Sequence, residues 1–161
     1  MRDLLGDPVA HQLLRRAYEA NYQFPQNFGG FRASLYYARD TESTAGSVEV
    51  RSPSDIRFGS ALESIDGRLD QELTSIISHR WSIPYKEANG RYQLTLDPSE
   101  HPLGRLVRVE GDGMDSSYRV QGGHISQINR NIGGLHFSIH IQERTFTGDA
   151  RALPVHCCVV Y

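Results

Sequence analysis

From Asn89 onward, turn chemistry cuts the chain into short pieces, and no other feature limits its folding choices as strongly. Asn89-Gly90 opens the region, and Gly111 with Gly113, Gly122-Gly123 and Gly133-Gly134 fall between the runs 91–96, 105–110, 116–121, 124–130, 135–144 and 152–161. Asn-Gly and Gly-Gly supply the positive φ that tight hairpin turns require. Within the runs the period is two. Leu135, Phe137, Ile139 and Ile141, for example, are separated by His136, Ser138 and His140, the mark of a strand with one buried face. Connections this short join antiparallel neighbours, because a parallel crossover needs about a dozen residues or more. The second half therefore reads as a meander of about five or six strands.

The first half mixes periods. Asp7 can cap a helix whose first position is Pro8, where a missing N–H is harmless, and Val9, Leu13, Leu14, Ala17 and Tyr18 give one apolar stripe ending near Tyr22. From Phe28 the pattern alternates: Phe31, Ala33, Leu35 and Tyr37 against Arg32, Ser34, Tyr36 and Ala38. A second strand is expected at 47–51, a polar hairpin loop at 40–46, and a short extended piece at 56–58 after Pro53. Leu62, Ile65, Leu69, Leu73, Ile76, Ile77 and Trp81 then fall on one face of a second helix. Ser60 and Glu63 could form its capping box, but Gly67 interrupts that first turn, which leaves the start open between Ser60 and Asp66.

These elements predict an α+β fold: one domain over 1–161, with a curved antiparallel sheet, an incomplete barrel, wrapped around two helices. A long meander twists, and its apolar face has to be covered. Tyr92, Leu94, Leu96, Tyr118, Val120, Leu135, Phe137, Ile139 and Ile141 should line the concave side. The last strand runs to Tyr161, so a further C-terminal tail is expected.

Composition serves to exclude. With 39% hydrophobic and 22% charged residues and a net charge of −2, the chain resembles neither a disordered segment nor a generic nucleic-acid binder. No run approaches the ~20 apolar residues of a membrane span, so no transmembrane insertion is expected. The N-terminus lacks the marks of a leader, and a cytoplasmic location follows. Cys157 and Cys158 are adjacent, so a strand points them to opposite faces, and reduced structural thiols are expected. Of 17 basic residues only Lys86 is lysine; either codon bias or forked recognition of anions would give that excess of arginine.

No catalytic or metal constellation emerges. His136 and His140 share a face of their strand but stand about 13 Å apart, too far to hold one ion. Asp112 and Asp115 flank Gly113-Met114 as ordinary turn residues, with too few oxygens nearby for calcium. Nucleophile elbows and phosphate loops are missing, and no cofactor is implied. Two candidate surfaces remain. Trp81, Tyr92, Leu94, Tyr118, Val120, Phe137 and Ile139 form an apolar, ligand-binding groove. Arg32, Arg91, Arg108 and Arg119 fall out of phase with the apolar residues, on the convex face, where they could dock an acidic protein or lipid headgroup or else simply pair with Glu49 and Glu110 across strands.

Several phrases carry a resemblance. The run 16–22 followed by Phe28-Gly29-Gly30-Phe31, the piece Ile77-Ser78-His79-Arg80, Ile125 to Arg130 and above all Gly111-Asp112-Gly113-Met114-Asp115-Ser116-Ser117-Tyr118-Arg119-Val120 resemble the domain-of-unknown-function family DUF3386 of cyanobacteria and plastids, over about residues 12–150. The family has no assigned site, so none is carried over. The order helix, paired strands, helix, meander is also similar, as a pattern, to LolA-type lipoprotein carriers, in which an incomplete barrel holds acyl chains against helices. The resemblances imply a non-enzymatic binding or accessory protein of a photosynthetic organism. It would either hold a lipid or pigment in the groove or dock onto a photosynthetic complex, with peripheral association at the thylakoid possible. The competing readings are an enzyme using His124, His136 or His140 as acid or base, and a purely structural subunit whose core is filled.

Overall fold

The computed structural model describes residues 5–59 and 67–161. Its elements run α1 (Pro8–Glu19), β1 (Phe31–Arg39), β2 (Glu42–Ser52), β3 (Asp55–Phe58), α2 (Gly67–Ser78), α3 (Tyr85–Ala88), β4 (Gln93–Leu96), β5 (Arg105–Glu110), β6 (Ser117–Gln121), β7 (His124–Ile132), β8 (Leu135–Phe146) and β9 (Ala152–Val160). They form two compact units, one from residues 1–22 and 83–161 and the other from Gln23–Ser82.

The first unit is the meander. β4 to β9 form one six-stranded sheet in sequence order, antiparallel throughout, as the glycine-punctuated pattern predicts. Cross-strand partners share a face. The register therefore lines up Leu96, Val107, Tyr118, Ile128, Ile139 and Val159 in one row. Between β6 and β7 the register slips by one residue, and the extra residue, Ser126, donates its hydroxyl to the carbonyls of Leu103 and Arg119. This bulge keeps Val120 and Ile125 on the same side despite the slip.

α1 covers that side. Asp7 accepts the Val9 N–H at 2.8 Å and Pro8 takes the first position, as expected. The buried stripe, however, is Ala10, His11, Leu14 and Ala17, while Val9 is 52% exposed. Leu14 and Ala17 belong to both stripes, so the buried face is rotated about the helix axis by less than one residue's turn from the one expected. α1 also stops at Glu19 rather than near Tyr22, because Asn21 bridges to Ala152, with Tyr22 N–H donating to the Ala152 carbonyl and Ala152 N–H to that of Ala20. The core below α1 comprises Ala10, Leu14, Ala17, Tyr85, Leu94, Val107, Val109, Tyr118, Val120 and Ile125. α3, a single turn, delivers Tyr85 to it; the sequence pattern gave no warning of this turn. Arg91 and Tyr92 precede β4, so that strand is two residues shorter than expected.

The second unit holds the three-stranded antiparallel sheet β1-β2-β3 and α2. Here the expected loop at 40–46 is corrected. Arg39 pairs with Glu42, which leaves a two-residue turn, and Ser43 to Gly46 continue β2. Small polar residues look like a loop but also fit an exposed strand. Val48 and Val50 are buried. Leu62, Ile65 and the capping-box residues Ser60 and Glu63 lie outside the described residues. Trp81 is not on α2 but three residues beyond it, where its ring meets Phe24 at 5.2 Å and Phe28 at 5.8 Å.

The α+β class stands, with one correction: there are two antiparallel sheets rather than one. α2 belongs to the three-stranded unit and α1 and α3 to the unit of the meander, and β4 and β9 do not pair to close a barrel. None of the described helices is long and apolar enough to cross a membrane.

Candidate binding site

α1 packs on β4, β6 and β7, and this divides the groove residues. Leu94 is 0% exposed, and Tyr118 and Val120 are likewise buried; all three are core under the helix rather than walls of a groove. Tyr92, Phe137 and Ile139 are half-buried. Ile139 lies between Ile128 and Val159 in its row, and the Phe137 ring approaches Tyr161 at 6.2 Å. Trp81 belongs to the other unit. What the structure assembles is a half-covered apolar strip across β7, β8 and β9, continuous with the core row.

One end of the strip is polar. Arg130 pairs with Phe137 and shares its face with Ile128 and Ile132. Its Nη2 donates to Tyr118 Oη at 3.3 Å and its Nη1 to Met114 Sδ at 3.1 Å. Ser116 directly precedes β6, and its carbonyl accepts the Val109 N–H at 2.9 Å. Ser116 is 2% exposed, and its Oγ has no hydrogen-bond partner among the described residues. Burial pushes the Tyr118 phenol up, Arg130 opposes the shift and Asp112 adds to it. The turn that presents these groups is fixed from within: Asp112 Oδ1 accepts the Met114 N–H at 2.9 Å, and the Asn131 N–H donates to the Met114 carbonyl at 2.7 Å. Turn chemistry alone made this segment look unremarkable in the sequence. The signal that could have found the cluster is Arg130 itself, a cation in the apolar phase of its strand.

The docking arginines are engaged within the molecule. Arg32 reaches Glu49 at 3.1 Å, and Glu49 also holds Arg51 at 2.9 Å. Arg108 pairs with Asp97 at 2.9 Å. Hydrogen bonds from Ser99, then Arg108, hold the Asp97 carboxyl well below the usual range. Arg119 donates to the Gly104 carbonyl at 3.1 Å. Arg91 donates to Tyr92 Oη at 2.7 Å and lies 4.8 Å from that ring's centre. Together they edge a shallow depression of about 560 Å³ with Leu5, Gln93, Glu110 and Gly111. Arg32 lies in the other unit, so the four do not form one described face.

The family model of DUF3386, a protein of unknown function, matches residues 6–161. The chain belongs to this family. No curated protein and no solved structure matches it, so the LolA-type likeness rests on element order alone.

The histidines of this DUF3386 chain are dispersed. His136 pairs with Asn131, His140 with Gln127 and Cys158, and His124 with Gln121, all on the sheet side opposite Ile139. Burial, and then Arg144, lowers the pKa of His124, whose Nδ1 has no partner among the described residues. Cys157 pairs across strands with Ile141, on the opposite side from Cys158, and neither forms a disulfide among the described residues. No group of three or more His, Cys, Asp or Glu residues able to hold a metal occurs among the described residues. The most buried histidine, His11, was not singled out in the sequence. It is 1% exposed, with Nδ1 3.1 Å from Tyr85 Oη and Nε2 2.8 Å from the Leu5 carbonyl, and it ties α1 to α3 and the N-terminal segment. Burial pushes the Tyr85 phenol up to about 12. With both ring nitrogens engaged, His11 has a structural role.

Proposed function

We propose that this chain is a binding protein rather than an enzyme, and that it holds one apolar or amphipathic small molecule, of the lipid or pigment kind, on the β7–β9 strip. One observation carries the reading: the row that forms the core under α1 continues through Ile128, Ile139 and Val159, where the side chains stay only half-buried. Apolar side chains on a concave or part-covered surface are where such ligands lose their contact with water. In its finer form, the meander acts as an incomplete barrel and the ligand takes the place that further helix would fill. The docking reading has less support, since Arg32, Arg108 and Arg119 already have partners within the molecule.

The test is twofold. Gently purified protein is extracted with organic solvent and the extract read by mass spectrometry, and delipidated protein is titrated with a fluorescent acyl probe. A lipid or pigment in the extract and saturable probe binding are expected. Ile139→Glu, which puts a charge into the strip, should weaken the probe about tenfold or more with the circular dichroism unchanged. Repeatedly empty protein that also ignores the probe would end this reading.

A further inference from the structure

The hairpins at the two ends of β7 differ in what stands beside their glycines. Gly122-Gly123 lies between Gln121 and His124, which pair across the strands, polar neighbours of the kind a solvated turn carries. The exposed Phe146 ring at that end meets His124 at 5.7 Å. Gly133-Gly134 lies instead between Ile132 and Leu135, which also pair and are 50% and 46% exposed. This second hairpin reaches past its neighbours. The pairing of β6 with β7 stops at Asn129 and that of β9 with β8 at Ser138, so the last three rungs, Arg130 with Phe137, Asn131 with His136 and Ile132 with Leu135, have no described strand paired on either side. Asn131 ties their base, its N–H donating to the Met114 carbonyl at 2.7 Å and its side-chain amide to Asp115 Oδ2 at 3.2 Å. Between Asn131 and Gln142 there is no Asp, Glu, Lys or Arg. By alternation Leu135 shares its side with Phe137 and Ile139, so the exposed pair is the outer end of the apolar strip.

We propose that the β7–β8 hairpin is a membrane-contacting tip: Ile132 and Leu135 enter the interface of a neutral phospholipid bilayer, and the strip behind them takes up its ligand from that surface. This rests on the reading of the strip as an apolar binding site and says where its ligand enters. Two half-exposed side chains fall far short of the ~800 Å² per partner that a stable protein interface buries. A lipid surface has no such threshold, because attachment simply scales with the apolar area inserted. An uncharged tip enters without desolvating an ion, while Asp115 at its base and a net charge of −2 give no attraction to anionic head groups.

Flotation of the full chain with phosphatidylcholine vesicles, and with vesicles that also contain phosphatidylglycerol, tests the tip. The protein should float with both and no better with the anionic ones. Ile132→Ser combined with Leu135→Ser should lower the partition about tenfold or more, and slow transfer of the fluorescent acyl probe from vesicles to protein, with the affinity for free probe unchanged. In phosphatidylcholine nanodiscs carrying a spin-labelled lipid, the amide resonances of Gly133 and Gly134 should broaden before those of Gly122 and Gly123, a readout that needs no variant and so decides even if the double substitution does not fold. An unaltered chain that stays unbound, flotation that survives the double substitution, or flotation that requires phosphatidylglycerol overturns the tip, and retained probe binding then leaves the strip standing. A double substitution that turns a dimer into a monomer by light scattering with flotation unchanged assigns the pair to a contact between copies, and the proposal falls. Should the unaltered chain float but ignore the probe, the strip reading fails while the tip holds.

Discussion

Gly104 and Gly122 both hold positive φ, at +93° and +57°, yet their surroundings differ. A Cβ added at Gly104 would lie 2.1 Å from the Val120 carbonyl oxygen, whereas at Gly122 nothing lies within 4 Å. Backbone strain alone should make Gly122→Ala unfavourable by about 1 kcal/mol. Gly104→Ala adds a collision with a backbone that cannot move without unzipping β5 from β6, and should cost about 3 kcal/mol or more. Urea denaturation of the two variants measures the difference, and equal losses would show that the Gly104 segment does not need its close approach to β6. At this scale the sequence is only partly legible. The buried Leu14 and Leu94 follow from periodicity, but His11 replaces Val9 in the buried stripe because a ring with two hydrogen-bonded nitrogens is accepted in the core where its partners are placed. Arg130 is not legible as part of the strip because it lies in phase with the apolar residues of β7, where alternation predicts no cation.

At the level of elements, α1 is the piece on which the meander's core depends. Its face reaches β4, β6 and β7, and Leu14 at its centre is 0% exposed. Leu14→Ala should destabilise by about 2–5 kcal/mol through lost contact and a residual cavity. Asp7→Ala, which removes only the bond to the Val9 N–H, should cost about 1 kcal/mol. Chemical denaturation that ranks the two in the opposite order would mean that α1 is held by its cap rather than by packing. The meander could be read in advance because paired glycines force turns and alternation fixes faces. The start of β2 could not, since Ser43, Thr44, Ala45 and Gly46 carry no apolar alternation, and their pairing with β1 is imposed by the partner strand. α3 was missed for a different reason: four residues are too few to show a helical period, and what holds the turn is Tyr85 in the core.

For the whole molecule, alternation and turn residues show where strands are but not which sheet each one joins, and so the sequence pattern merged two sheets into one. The division has a testable consequence. Among the described residues, every member of the main buried cluster comes from 1–22 or 83–161. The chain leaves the first unit at Tyr22, tied by its N–H to the Ala152 carbonyl at 2.8 Å, and re-enters at Ile83, whose carbonyl accepts the Tyr18 hydroxyl at 2.7 Å. Exit and re-entry are thus near neighbours, and a flexible Gly/Ser bridge of about six residues is long enough to join them. A chain with 23–82 replaced by such a bridge should unfold in one cooperative urea transition, with dispersed amide resonances and the β-rich circular dichroism of a six-stranded sheet. Since Ile128, Phe137, Ile139 and Val159 all lie in the retained unit, the shortened chain should also keep saturable binding of the acyl probe. A shortened chain that is compact but lacks resonance dispersion would show that the meander needs residues 23–82 to set its packing. One that folds cooperatively yet loses the probe would show that the β7–β9 strip does not hold it unaided.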